Sequence, residues 1–247
     1  MAALPHLLDR VGDAPGAGPG GEGIDVRGDR SQRLAADLSR VCAQQVALFG
    51  ELPCDRYMFM ALATGDGYGG LEHRFSTSLI CGRSDLPRPG VGGVDKGYRK
   101  FLGLCSHEYF HLWNMKRIQP ARLQESDLMT ETHTELLWAF EGITSYYDDL
   151  GLRRSGLVPD TRYLEALGRT ITRVLRGSGR LRQSVAESSF DNSSSAAVMS
   201  AAARRISRAW SRRHSGDGPK RRWQNNDYAH VIESCSTYQR ASSSVWA

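Results

Sequence analysis

The chain has 247 residues, of which 40% are hydrophobic and 24% are charged, a composition typical of globular proteins. It has no apolar run of eighteen residues, no secretory signal and no CxxC pair among its five cysteines, so we expect a cytoplasmic protein with reduced thiols and no membrane span. The net charge of +5 arises in residues 204–247, which have nine Lys/Arg and three Asp/Glu, so we expect no nucleic-acid surface on the main body.

Composition divides the chain into three segments. Residues 1–28 are Gly/Pro-rich and cannot bury enough apolar surface to fold, so we expect them to be flexible. Residues 29–190 have the periodic apolar patterns of one α+β domain, mostly helical after residue 98. Residues 191–247 mix Ser runs and Arg clusters without a sustained period, which predicts little stable structure beyond a short helix near Ala196–Trp210.

The first part of the domain is predicted to contain one helix followed by two strands. Apolar residues at three- and four-residue steps predict an amphipathic helix with Asp29 or Ser31 at its start and Gly50 at its end. Residues 56–63 are short and aromatic-rich, which favours a strand, and a second strand is predicted over His73–Cys81.

Three more helices are predicted after a loop over Ser84–Lys96, which is rich in Pro and Gly. The first, Tyr98–Met115, is rich in large apolar residues and is expected to be mostly buried. The second covers Thr134–Leu150 and ends at Gly151. The third runs from Leu157 to about Leu175, and its apolar stripe consists of Tyr163, Leu164, Leu167, Ile171, Val174 and Leu175.

The buried helix contains an HExxH motif over residues 107–111. His107 and His111 lie one helical turn apart, so both imidazoles can reach one metal ion, and Glu108 lies where it can take a proton from water. Two imidazoles with a carboxylate are typical of zinc. Lys116, just beyond the motif, either complements the negative end of the helix or steers a peptide carboxylate.

The third metal ligand has to come from another segment, and Glu141 is the best candidate. It is a lone carboxylate among apolar residues, where an unpaired charge is costly. The competing carboxylates look solvated: Glu131 and Glu135 flank a polar stretch, and Asp148 and Asp149 are interpreted as surface charges near the end of the helix.

Three blocks of sequence resemble the M61 glycyl aminopeptidase family. Ser106–Ile118 is similar to that family's zinc helix, Leu137–Leu150 to its second metal helix, and Tyr68–Ser78 to a third block. The resemblance extends from Leu34 to Phe190, and three blocks in the same order are far more specific than HExxH alone.

The resemblance implies a thermolysin-like (gluzincin) catalytic domain that binds one Zn²⁺ through His107, His111 and Glu141, with Glu108 as general base. The substrates implied are peptides with a free N-terminus and a small first residue, Gly or Ala. The related M1 aminopeptidases have a strand whose Glu binds the substrate amino group, and Glu72 stands in that place here, although the residues alone fit a plain turn equally well. The substrate-binding candidates are Glu72, Gly69, Gly70 and Tyr147, of which Tyr147 either lines the pocket or simply packs.

The alternative is a truncated, catalytically impaired zinc-binding fragment that acts as a non-catalytic binding module. The family pattern includes a Ser-Tyr-Tyr-x-Lys-Gly-like block whose tyrosine stabilises the developing oxyanion. No such block follows Phe190, and the only later tyrosines are Tyr228 and Tyr238. We therefore expect weak or absent hydrolysis if the resemblance stops at Phe190. A nucleic-acid binder with a basic tail is a weaker third interpretation.

Overall fold

The computed structural model describes residues 29–124 and 132–192, so the predictions for residues 1–28 and for Ala196–Trp210 lie outside the described residues. The described residues belong to two compact units. The first comprises 29–119 and 139–172, and the second comprises the described parts of 120–138 and 173–192. The first unit contains a small sheet and several helices, which confirms the α+β class.

The first helix, α1 (Asp29–Phe49), confirms the predicted amphipathic helix. Its inner side lies in the hydrophobic core, where Val41 and Cys42 are each 1% exposed. The helix ends at Gly50, which has a φ of +78° and donates its N–H to the Val46 carbonyl at 2.8 Å. A glycine takes this left-handed conformation without steric cost, so it can close the last turn.

Three strands, β1 (Met58–Thr64), β2 (Gly69–Glu72) and β3 (Ser76–Gly82), form one sheet with β3 in the middle. β1 is parallel to β3, and β2 is antiparallel to it. The two predicted strands are confirmed, with starts two and three residues later than predicted. β2 is an addition, because two successive glycines do not favour a strand when judged by sequence alone.

Helix α2 (Lys96–Phe110) begins at an N-cap, Asp95, whose carboxylate accepts a hydrogen bond from the Tyr98 N–H at 2.9 Å. The prediction that this helix continues to Met115 is wrong, because α2 ends at Phe110. Beyond it the hydrogen bonds change spacing: the Trp113 N–H donates three residues back, and the Lys116 N–H donates five residues back, to the His111 carbonyl. The chain therefore leaves the helix axis just after the HExxH motif.

The predicted helix over Thr134–Leu150 is present only in part. It begins with a π-helical turn at Trp138–Gly142 and continues as the regular helix α3 (Ile143–Arg154). Residues 135–136 form a turn before it. The apolar pattern does not distinguish a wider π-helical turn from an α-helical one, so the sequence predicted a single uniform helix.

Gly151 does not end α3, contrary to the prediction. It is buried within the helix, and a Cβ there would lie 3.2 Å from Ser106 Oγ on α2. The absence of a side chain therefore lets α3 approach α2 closely. The helix ends before Gly156, which has a φ of +73°.

Helix α2 is the centre of the core of the first unit. Phe101, Leu102 and Tyr109 are each no more than 1% exposed, and α1, the sheet and α3 all pack against α2. At its far end, the Trp113 ring stacks on the Phe49 ring of α1, with centroids 4.6 Å apart and planes 7° apart. This packing fixes the helix that carries both histidines.

The third predicted helix is present as α4 (Asp160–Arg176). Three members of its apolar stripe, Leu164, Ile171 and Leu175, are 60%, 50% and 59% exposed. A periodic pattern predicts a helix, but it does not identify what covers the apolar side.

The second unit consists of short elements among its described residues. They are a helical turn at Ala121–Gln124, a 3₁₀ turn at Gly179–Leu181 and a helical stretch over 185–192. Ser184 and Glu187 form a capping box at the start of the last of these, since each side chain accepts from the backbone N–H of the other residue. No helix among the described residues is both long and apolar enough to cross a lipid bilayer.

Candidate metal centre

The two histidines of the HExxH motif lie at the end of α2, as predicted. Their rings are 4.7 Å apart between centroids and nearly perpendicular, at 85°. His111 is buried, with its side chain 2% exposed, and His107 is 16% exposed. Both imidazoles are therefore held inside the protein, where their nitrogen atoms need polar partners.

Each imidazole uses its Nδ1 atom for a hydrogen bond within the protein. Nδ1 of His107 lies 3.0 Å from Asp148 Oδ2, and Nδ1 of His111 lies 3.1 Å from the Asn114 carbonyl oxygen. A carbonyl and an ionised carboxylate only accept hydrogen bonds, so each Nδ1 carries the proton. In the neutral ring, Nε2 then presents a lone pair, which is the form that binds a metal.

Both Nε2 atoms face the carboxylate of Glu141, which the π-helical turn before α3 presents. Nε2 of His107 is 3.1 Å from Oε2, and Nε2 of His111 is 3.7 Å from Oε1. Three acceptor groups at such distances repel one another unless they share a proton or a cation. The prediction that Glu141 lies beside the two histidines is therefore supported by the geometry.

The spacing of these donors fits a small divalent cation. Two metal–ligand bonds of about 2.1 Å at a tetrahedral angle place the ligand atoms about 3.4 Å apart. The two distances to Glu141 fall on either side of that value, and all three ligand atoms lie within 4.8 Å of one another. His107, His111 and Glu141 could thus hold an ion with little rearrangement.

Asp148 is the main correction to the predicted site. From the sequence it is predicted to be a surface charge, but its side chain is only 17% exposed and accepts a hydrogen bond from His107. Burial raises the pKa of Asp148 to about 6, although the hydrogen bond from His107 acts in the opposite direction. Asp149, the neighbouring carboxylate, points elsewhere and pairs with Arg99 at 2.7 Å.

The other competing carboxylates do not join the cluster. Glu135 is exposed and lies in the second unit. Glu131 lies outside the described residues.

Glu108, the predicted base, is buried beside the histidines, with 5% of its surface exposed. Its Oε2 atom has no hydrogen-bond partner within the described part of the chain. Its carboxylate lies against Gly70 of β2, so closely that a Cβ at position 70 would overlap it. Burial, only partly offset by His107, raises the pKa of Glu108 to about 8.

Glu72 lies on β2, next to this carboxylate, and already has a cationic partner. Its Oε1 atom is 2.9 Å from Lys116 Nζ, and both side chains are largely buried. Burial alone would raise the pKa of Glu72, but the positive charge of Lys116 outweighs it and holds that pKa below its usual value. Lys116 thus turns back into the site instead of only complementing the end of α2.

Glu72, Glu108 and His111 also place ligand atoms within 4.8 Å of one another, which makes them a second possible metal group. The bonded ammonium of Lys116 argues against a cation there, because it already occupies one oxygen of Glu72. The set containing Glu141 has a protein acceptor behind each imidazole, so it is the better metal site.

The predicted substrate residue Tyr147 stacks on Phe110, with ring centroids 5.1 Å apart and planes 12° apart. Tyr146 packs edge-on against it and is half exposed. Tyr147 therefore packs against Phe110, the residue that precedes His111 in the chain. A role for Tyr147 in substrate binding stays a prediction.

The site is strongly acidic overall. Four carboxylates lie around the two imidazoles, and Lys116 is the cation paired with them. Glu108 is mostly protonated at neutral pH because its pKa is about 8, so with neutral imidazoles the cluster has a formal charge of −2. It is therefore suited to attract cations, including a metal ion and an amine.

Three residues of the site were missed or misinterpreted by sequence reasoning: Asp148, Asn114 and Lys116. Asp148 had a usable signal, because it follows Glu141 by seven residues, which is two helical turns along the same face. Asn114 and Lys116 had none, because their positions depend on how the chain turns after Phe110.

Comparison with known proteins finds a family match over the part of the chain that contains this site. The family model of the M61 glycyl aminopeptidases matches residues 100–239, which include the HExxH motif and Glu141. The match continues past Phe190, so the expectation that the resemblance stops there is wrong. No curated protein matches the chain.

A solved structure is also similar. It is an aminopeptidase N family protein from Idiomarina loihiensis, which aligns with a TM-score of 0.63 and 47% sequence identity. The alignment covers 65% of this chain and 27% of that protein, so the chain spans about a quarter of the relative's length.

Proposed function

Because the chain belongs to the M61 glycyl aminopeptidase family, we propose that it forms the catalytic part of a zinc-dependent aminopeptidase with a thermolysin-like (gluzincin) fold. We place that catalytic part in residues 29–190. The observation that supports this best is the donor set: His107, His111 and Glu141 converge, and each histidine is oriented by an acceptor on its other nitrogen.

Zinc is the metal that this donor set favours. Two neutral imidazoles and one carboxylate are typical of catalytic zinc sites, which keep a fourth position for water or substrate. We expect one Zn²⁺ per chain. When bound, zinc supplies Lewis acidity that polarises a peptide carbonyl and makes water a better nucleophile at neutral pH.

Glu108 moves the proton in this proposal. Its unpartnered Oε2 atom accepts a proton from the attacking water, and the same carboxyl then donates it to the leaving amine. Burial suits this role, because a carboxylate with a pKa of about 8 holds a proton more readily than one in water. Gly70 leaves the space that the carboxylate occupies.

Glu72 binds the substrate's free amino group in this proposal, and Gly69, Gly70 and Tyr147 line the same subsite. Glu72 suits this role because it lies beside the donor set and because Lys116 holds its pKa below the usual value, so that its carboxylate is ionised and can accept an ammonium. We further propose that the first residue of the substrate is Gly or Ala, as the family implies. A peptide with a free N-terminus is the corresponding partner.

The test combines metal analysis with hydrolysis of Gly- and Ala-anilides by the full chain. We expect about one zinc per chain and hydrolysis that a chelator abolishes. Glu108→Gln should retain zinc, because Glu108 is not a ligand, and lose at least about a hundredfold in kcat/KM, because the base is gone. Unchanged activity in this variant would rule out the proposed proton transfer.

A second candidate function is a zinc-binding module without catalysis. The pair formed by Lys116 and Glu72 favours it, because the proposed amine anchor is already bonded to an internal ammonium at 2.9 Å. Stoichiometric zinc in a chain that hydrolyses neither anilide would support this module and exclude the peptidase.

A further inference from the structure

Asn114 contacts both halves of the metal centre, and we propose that it is a positioning residue that sets the distance between His111 and Glu141. This inference rests on the proposed zinc site. The two ligands come from different segments, one from the end of α2 and the other from the π-helical turn before α3. Zinc affinity depends on how well the ligands are held in position. A side chain that fixes these two segments relative to each other therefore strengthens metal binding.

The backbone of Asn114 orients His111. Its carbonyl oxygen accepts the Nδ1–H of His111 at 3.1 Å, which fixes the ring orientation and leaves Nε2 free to bind metal. This contact is possible because the chain turns just after His111, so that residue 114 comes back beneath the imidazole.

The side chain of Asn114 contacts the segment that contains Glu141. Its Nδ2 group donates to the carbonyls of Ala139 and Phe140, at 3.1 and 3.3 Å, and to Thr144 Oγ1 at 3.1 Å. These three acceptors lie immediately before and one turn after Glu141 in sequence. One amide therefore contacts two backbone carbonyls before the ligand and a side-chain hydroxyl after it.

The chemistry of this contact requires an amide. Two hydrogens on one planar nitrogen can serve several acceptors in the π-helical turn, whose carbonyls lack the usual α-helical spacing. An aspartate of the same size would place carboxylate oxygens against these carbonyls, and an alanine would leave the Ala139 carbonyl without this donor. Thr144 is fully buried and donates to the Phe140 carbonyl at 2.6 Å, so it completes the same network.

The His107 side of the site has a separate connection. Asp148 accepts from His107, and Ser106 Oγ donates to the Asp148 carbonyl at 3.0 Å. Asp148 lies two helical turns after Glu141 in the chain, so these bonds do not hold the π-helical turn itself. The bonds of Asn114 join the segment around His111 to the π-helical turn that contains Glu141.

The experiment measures Zn²⁺ affinity of the full chain by competition with a chromophoric chelator, and the visible spectrum of the Co²⁺-loaded protein. We expect Asn114→Ala to weaken Zn²⁺ binding by about 10- to 100-fold, the usual effect of removing a group that orients metal ligands. Its Co²⁺ spectrum should also change, because a displaced Glu141 alters the coordination geometry. A merely structural role would leave that spectrum unchanged.

Tyr98→Phe is the matched control. It lies on the same helix and also loses a side-chain hydrogen bond, from Tyr98 Oη to Asp37 at 2.8 Å, but it is nine residues before His107. We expect its Zn²⁺ affinity to equal that of the parent within about twofold. Thr144→Val provides a second test if Asn114→Ala does not fold, since it removes one acceptor of the same amide and should weaken Zn²⁺ binding several-fold.

The outcomes separate this inference from the proposed function. If the parent binds Zn²⁺ and both variants at positions 114 and 144 bind it equally well with an unchanged Co²⁺ spectrum, the inference is wrong and the zinc site stands. If Tyr98→Phe loses as much affinity as Asn114→Ala, the effect is general destabilisation and the inference is also wrong. A parent that binds no Zn²⁺ overturns both.

Discussion

The contact between Gly70 and Glu108 allows a test of the proposed base without changing the base itself. A Cβ built at position 70 would lie 2.5 Å from Cδ and 2.6 Å from Cγ of Glu108, and nearer still to Oε1. Favourable contacts between carbon atoms are about 3.5–4.0 Å, so Gly70→Ala must displace the Glu108 carboxyl by about 1 Å.

A shift of this size has a large kinetic effect but should leave metal binding intact. A misplacement of about 1 Å in a reacting group costs about a hundredfold in rate. Glu108 is not one of the three proposed ligands, so we expect Gly70→Ala to bind Zn²⁺ like the parent while kcat/KM for Ala-anilide falls about a hundredfold.

Gly65→Ala is the matched control, because position 65 precedes the same strand and its Cβ would meet no heavy atom within 4 Å. It should keep both the parent's activity and its zinc affinity. A Gly70→Ala variant with full activity would refute the reasoning, and so would an equal loss in Gly65→Ala.

Stability provides a readout that does not need activity. Overpacking of this kind costs about 1–3 kcal/mol in the free energy of unfolding. The cost should disappear when Glu108→Ala removes the side chain that is overlapped, so the two substitutions should be strongly non-additive. Equal destabilisation by Gly70→Ala in both backgrounds would show that Glu108 is not the group in its way.

Three further predictions concern the groups around the zinc site. Asp148→Asn should weaken Zn²⁺ binding about 10- to 100-fold by removing the charge behind His107, whereas Asp149→Asn should not; equal affinities in a chelator competition would contradict this. Glu72→Ala should reduce kcat/KM more for substrates with a free amine than for N-blocked ones, and a uniform loss would instead indicate a structural role. The double substitution His107→Ala and His111→Ala should abolish stoichiometric zinc, and metal analysis that still finds one zinc per chain would remove the basis for the site.

The core of the site could be read from the sequence because its signals are local. The placement of His107, Glu108 and His111 depends only on the geometry of one helical turn, and Glu141 was singled out by its apolar neighbours. The first helix was equally predictable from the sequence, because its apolar period and its terminal glycine indicate the same helix.

The rest depended on tertiary structure. No local pattern shows that the chain turns at Phe110, and that turn is what brings Lys116 to Glu72 and Asn114 to the π-helical turn. Asp148 looked solvated because charges near helix ends usually are, and only the packing of α3 on α2 places it behind His107. The strand β2 exists because it pairs with β3, and its glycines conceal it from propensity arguments.

About thirty residues of chain separate His111 from Glu141, so the three proposed ligands enclose one short loop. Closing a chain segment of that length costs about 3 kcal/mol of conformational entropy in a simple polymer estimate. A zinc ion bound at both ends acts as a cross-link that restricts the unfolded chain, as a disulfide would. The four cysteines in the described residues are free, so this cross-link would respond to chelators and not to thiol reductants.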